Sequence, residues 1–188
     1  AGGKFGAGSY ATSGGLHGVG ASVVNALSAR VDVEVDREGK TWAMSFHRGE
    51  PGLFADTEGP SPESTFEPFV NKSELRALGS VKKGVTGTRV RFWPDPQIFG
   101  KKARFAAAEL TERARQTAFL VPGLSIHLVD HTGEEVVNTT FSAAGGLSEF
   151  LEFLAPDQPV VGPWHFSGEG QFEETVPVLD ATGKLESQ

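Results

Sequence analysis

Hydrophobic and polar residues alternate most strictly in Val31-Asp32-Val33-Glu34-Val35-Asp36-Arg37, a period of two that predicts a strand with one apolar and one charged face. Glu38-Gly39 reads as a tight turn, and Thr41-Trp42-Ala43-Met44-Ser45-Phe46 alternates again, so 31–47 is expected to be a hairpin. The period changes before it: Val23, Val24 and Leu27 share one face of a helix over 18–29. Thr88-Arg89-Val90-Arg91-Phe92-Trp93 predicts a further strand after a turn at Thr86-Gly87, stopped by Pro94, with a short ordered connection over 95–99. A long helix is expected over 103–120, ended by Val121-Pro122-Gly123. Strands over 124–130 and 136–141 form a second hairpin around His131-Thr132-Gly133-Glu134, and 147–154 reads as a short amphipathic helix.

Two stretches carry little periodicity. Between Arg48 and Val81, Pro51, Gly52, Gly59, Pro60 and Pro62 interrupt the pattern, which predicts a long surface connection with one strand near 65–70. Pro156, Pro159 and Pro163 mark a linker over 156–163, followed by a hairpin of 164–168 with 172–179 that opens a second unit. Trp42, Phe46, Phe92 and Trp93 are expected to be core aromatics.

Composition narrows the possibilities. A chain of 188 residues with 38% hydrophobic and 22% charged positions suits a folded domain with the start of a second. No stretch approaches a membrane span, and no secretory signal is visible. The absence of cysteine rules out disulfides and thiolate metal sites and fits a reducing compartment such as the cytoplasm. A net charge of −7 argues against this segment being a nucleic-acid grip, and Lys82-Lys83 and Lys101-Lys102 read as solvated surface. The single methionine is Met44, so the chain reads as an internal piece of a longer protein.

Eight of the first twenty residues are glycine, ending in Ser13-Gly14-Gly15-Leu16-His17-Gly18-Val19-Gly20 directly before the predicted helix. Glycines permit close backbone approach, and a helix N-terminus offers free N–H groups, a combination suited to phosphate. A P-loop would need a Lys-Ser/Thr pair at the helix start, where Gly20-Ala21-Ser22 has none. A dinucleotide fold stays open through Gly18-Val19-Gly20 and Asp36, although it needs a buried strand before the glycines and a third glycine where Val23 stands. A non-enzymatic nucleotide-sensing module also stays open.

The string Gly14-Gly15-Leu16-His17-Gly18-Val19-Gly20, with Gly2-Gly3-Lys4-Phe5, Tyr10, Ser22-Val23-Val24-Asn25-Ala26-Leu27-Ser28, Arg37-Glu38-Gly39-Lys40 and Thr86 to Pro94, resembles the B subunits of type IIA DNA topoisomerases, those of DNA gyrase and topoisomerase IV. The resemblance implies an α+β two-layer sandwich of the GHKL (Bergerat) ATPase type, with a mixed, mostly antiparallel sheet and helices on one face. Residues 1–155 would be the C-terminal part of that domain, with 1–20 the ATP lid and 164–188 the beginning of a transducer domain. The implied ATP contacts are Lys4, Tyr10, Gly14, Gly15, Leu16, His17, Gly18, Val19, Gly20 and Thr88, with Arg37 and Val90 at the pocket rim. The family's general base, magnesium-binding asparagine and adenine-reading aspartate precede this segment, and its γ-phosphate lysine follows it. The resemblance thus implies ATP and Mg2+ as cofactors, with no catalytic or metal-binding residue in this chain. It also implies an A subunit, a second B subunit and DNA as partners of the parent protein.

Overall fold

The computed structural model describes residues 19–155 except 73 and 101, residues 157, 161, 164, 166 and 168, and the segments 177–179 and 185–187. The elements run α1 (Gly20–Ala26), β1 (Ser28–Arg37), β2 (Lys40–His47), β3 (Glu50–Ala55), β4 (Thr65–Pro68), β5 (Arg76–Ser80) and β6 (Gly87–Pro94). After them come α2 (Pro96–Phe99), α3 (Ala107–Leu120), β7 (Ser125–Asp130), β8 (Val137–Ser142), α4 (Leu147–Leu154), β9 (Pro177–Leu179) and β10 (Leu185–Ser187). Six strands form one sheet in the order β4-β3-β2-β1-β6, with β5 also paired to β2. The ladders among the described residues are antiparallel.

Strand β1 organises this sheet because its alternation is matched on both sides. Val31, Val33 and Val35 stand opposite Phe46, Met44 and Trp42 of β2, and opposite Phe92, Val90 and Thr88 of β6. The other face carries Asp32 opposite Ser45 and Arg91, Glu34 opposite Ala43 and Arg89, and Asp36 opposite Thr41 and Gly87. A one-residue slip of either neighbour would exchange its two faces, so the register is strongly specified.

The predicted hairpin over 31–47 is present, and its turn has the backbone that a two-residue connection requires. Glu38 and Gly39 lie at φ 55° and 78°. The next turn repeats the device: Arg48 and Gly49 lie at φ 50° and 89°, between the paired residues His47 and Glu50.

That second turn corrects the reading of 48–81, which contains three strands rather than one connection with a single strand. Pro51 is tolerated because the residues flanking a two-residue turn exchange hydrogen bonds, and the next pair outward, Pro51 with Phe46, needs no donor toward β2. Gly52 is required by packing. A Cβ there would collide with the Glu67 carbonyl and the Phe66 ring on β4. Strand β5 pairs with the first half of β2 through a bulge at Leu78, which explains its weak alternation.

Other boundaries move for local reasons. The first helix ends at Ala26, where the expected span reached 29, because the Ser28 hydroxyl donates to the Val24 carbonyl at 2.6 Å and the chain enters β1. The connection after Pro94 contains one helical turn, α2, whose N-terminus is capped by Asp95 accepting from the Gln97 N–H at 2.8 Å. The long helix begins at Ala107 rather than at 103. Strand β9 pairs with β10, later than the expected partner, and the described residues 164, 166 and 168 are not in strands.

α3 packs across the β7–β8 hairpin and against α4. Ala118 and Phe141 are buried there, Phe119 stacks on Phe150 at 5.0 Å, and the Arg115 guanidinium lies 5.2 Å from the Phe153 ring centre. The four aromatics expected in the core are not fully buried. Trp42, Phe46 and Trp93 are half-buried, and Phe92 is 40% exposed on the apolar face of the sheet. No helix of the described residues is long and apolar enough to cross a membrane.

The most deeply buried ion described on the opposite face is Arg30, 2% exposed. Its two terminal nitrogens donate to Asp56 at 2.6 Å each, its Nε donates to Asp32 at 3.0 Å, and the guanidinium lies 4.0 Å from the Phe54 ring centre. It also donates to the Ser61 carbonyl at 2.8 Å, tying the 56–61 connection to β1. The hydrogen bonds from Arg30 hold the Asp56 carboxyl at about 2, below its usual 3.8. Such a carboxylate stabilises the fold above its unfolded value and loses that contribution as pH falls through its folded one. Stability measured by urea unfolding should therefore decline between about pH 4 and pH 2. Arg30→Met should cost about 2–4 kcal/mol at neutral pH and remove this part of the acid dependence.

Candidate functional site

Lys4, Tyr10, Gly14, Gly15, Leu16, His17 and Gly18 lie outside the described residues, so the structure bears on Val19, Gly20, Arg37, Thr88 and Val90. Val19 is the N-cap of α1 and contributes no side-chain cap; its carbonyl accepts from the Val23 N–H at 3.0 Å. Gly20 opens the helix. The first amides of any helix lack intrahelical acceptors, so this end presents free donors.

Arg37, Thr88 and Val90 fall on one face of the sheet. Thr88 stands opposite Val35 and Val90 opposite Val33, while Arg37 lies two residues beyond Val35 at the end of β1. Thr88 is exposed and Val90 is 56% exposed. Arg37 reaches into solvent and meets Glu38 at 3.3 Å, both side chains more than 70% exposed. The face thus offers an apolar platform with one hydroxyl and a cation at its edge. α1 packs on β1, but the pairing of Ser28 with Pro94 puts its C-terminal end at the opposite end of β6 from Thr88. Val33 and Val35 belong to the same platform and were not singled out from the sequence, although the alternation that predicted the strand assigns them to it.

Charge is held on the other face. Arg89, between Thr88 and Val90, donates to Asp36 at 2.8 and 3.0 Å and to Glu34 at 2.8 Å. The hydrogen bonds from Arg89, followed by that of the Thr41 hydroxyl at 2.6 Å, lower the Asp36 carboxyl below its ordinary range. These pairs hold Glu34, Asp36 and Arg89 away from the platform. The platform itself is left to apolar contact and a single hydrogen-bonding hydroxyl.

Among the described residues, Arg37, Thr88 and Val90 are all exposed, so this part of the face is open. A cavity of about 900 Å³ lies elsewhere, between α1 and the end of β6, lined in part by Val23, Leu27, Phe92, Phe99 and Phe105. A smaller one, about 340 Å³, lies among Arg30, Asp32, Glu34, Arg76 and Arg91 on the charged side, with Val33 and Val90 also in its lining. Neither is lined by Thr88 or Arg37. Among the described residues, no group of three or more His, Asp or Glu side chains could hold a metal ion. The described residues therefore do not fit a magnesium site.

No protein-family model matches the chain. It is 42% identical over 187 residues to the DNA gyrase B subunit of Thermus thermophilus, covering 97% of this chain and 26% of that protein. It is 40% identical over 169 residues to the DNA topoisomerase 4 B subunit of Enterococcus faecalis, covering 89% and 22% respectively. The crystal structure of the 43K ATPase domain of Thermus thermophilus gyrase B, in complex with an aminocoumarin, is similar with a TM-score of 0.58 and 41% identity. That likeness covers 74% of this chain and 32% of the solved one. The chain spans about a quarter of the length of the curated relatives it matches. Its antiparallel sheet and helices share the α+β, GHKL-type fold of these ATPase domains. Over the stretch it covers, the chain belongs to the B-subunit family of type IIA DNA topoisomerases, the family of the DNA gyrase and topoisomerase IV B subunits.

Proposed function

We propose that this chain supplies the phosphate loop and one wall of the adenine pocket in the ATPase domain of a type IIA topoisomerase B subunit. The observation that carries the reading is the shared face of Arg37, Thr88 and Val90, which among the described residues is an exposed, largely apolar surface with one hydroxyl. A flat, apolar base with polar edges suits such a surface: Val33, Val35 and Val90 would lie against the ring, and the Thr88 hydroxyl would enter its hydrogen-bond network. Arg37 would stand at the rim. The backbone amides of Gly14, Gly15, Leu16, His17, Gly18, Val19 and Gly20 would surround the phosphates with Lys4, and Tyr10 would lie against the adenosine.

Residues 1–155 are assigned to the ATPase domain, 156–163 to a linker and 164–188 to the beginning of a transducer domain. In the parent protein, ATP binding would close two B subunits around DNA, and an A subunit would break and rejoin the strands. The chain's net charge of −7 fits a nucleotide-handling role with the main DNA contacts elsewhere. No general base is assigned to this chain, and phosphoryl transfer to water needs a base, a metal and a charge clamp together.

Two outcomes follow. In a B subunit carrying this segment, Thr88→Val should weaken binding of a non-hydrolysable ATP analogue about tenfold by calorimetry, the loss of one hydrogen bond to the ligand. An unchanged affinity would remove Thr88 from the pocket. The 188-residue chain alone should show no ATP turnover above background in a phosphate-release assay, and measurable turnover would contradict the assignment of the base elsewhere.

A further inference from the structure

We propose that Arg48 is a positioning residue for α1, acting through Asp95 from the β2–β3 turn. The inference rests on the ATP reading, in which α1 carries the glycine loop. α1 has seven residues, no side-chain N-cap and no buried residue, so little in the helix itself fixes its direction. Its C-terminal end is pinned where the Asp95 backbone N–H donates to the Leu27 carbonyl at 3.0 Å. Where Asp95 sits therefore sets where α1 leaves the sheet.

Asp95 is 2% exposed, and its carboxylate is shared between two elements. Oδ1 accepts from the Gln97 N–H at 2.8 Å, and Oδ2 accepts from Arg48 Nε at 2.6 Å. The hydrogen bond from Arg48 is the largest cause of the lowered Asp95 pKa, and His47, from the same turn, adds a smaller Coulombic pull. Arg48 occupies φ +50°, an uncommon conformation for a non-glycine residue, in a turn fixed by the pairing of His47 with Glu50. The side chain links this rigid turn to the carboxylate that stands beside the end of α1. Without Arg48, the buried carboxylate keeps, among the described residues, one backbone donor and only the weaker Coulombic pull of His47. It must then move toward water or take up a proton. Either response disturbs the anchor at Leu27.

The test compares Arg48→Met and Arg48→Lys in a B subunit carrying this segment, reading amide exchange and binding of a non-hydrolysable ATP analogue. Arg48→Met should speed exchange at Val23 and Leu27 while Val33 and Met44 stay protected, and should raise the analogue's Kd about fivefold. Arg48→Lys should restore part of both. Unchanged exchange in α1 overturns the proposal, as does faster exchange throughout the sheet, which marks a general structural role. Faster exchange in α1 with unchanged affinity also overturns it, because the latch would then not serve the site. A wild-type protein that binds no analogue refutes the ATP reading itself, and with it the site that the latch serves, whatever the exchange at α1.

Discussion

Strand β1 lies between two antiparallel neighbours, and its period-two alternation obliges both to match it. Because Val31, Val33 and Val35 share one face, β2 must present Trp42, Met44 and Phe46 there, and β6 must present Thr88, Val90 and Phe92. The same constraint sends Asp32, Glu34, Asp36, Arg89 and Arg91 to the other side. One strand thereby divides the sheet into an apolar surface and a surface of paired charges. The candidate nucleotide platform is a consequence of that division.

The charged surface is held by two arginines that do different work. Arg30 is buried and closes the 56–61 connection onto β1, so its bonds to Asp32 and Asp56 satisfy a desolvated ion. Arg89 is more exposed and clamps β6 to β1 through Asp36 and Glu34, close to Thr88. An exposed pair contributes modestly to stability. Its larger consequence is orientation: with Arg89 engaged by two acids, the neighbouring Thr88 and Val90 face a surface free of that charge. A third arginine, Arg48, meets Asp95 and joins the β2–β3 turn to the junction of α1, β6 and α2.

The sequence made the β1–β2 hairpin, β6, β7, β8 and α4 legible, because each carries a clear period along its length. It did not reveal β3 and β5. Pro51 and Gly52 are ordinarily strand breakers, and only the position of Pro51 one pair beyond a two-residue turn, and the Phe66 ring over Gly52, make them compatible with a ladder. A signal was available in Arg48-Gly49, which repeats the Glu38-Gly39 turn ten residues later. Arg30 and Asp95 were not legible. Their partners lie 26 and 47 positions away in Asp56 and Arg48, and no periodicity encodes such a contact. For the site, alternation alone could assign Thr88, Val90 and Arg37 to one face, whereas their connection with ATP came from the glycine string and the family resemblance.

Whether nucleotide lies on the apolar face of β1 and β6 decides the functional reading. Methyl-resolved NMR of Val33, Val35 and Val90, in a B subunit carrying this segment and titrated with a non-hydrolysable ATP analogue, tests it most directly. Saturable shifts are expected at these three valines, with the Ala43 methyl on the opposite face unmoved. Shifts confined to Ala43, or none at the valines under saturating analogue, would contradict that placement.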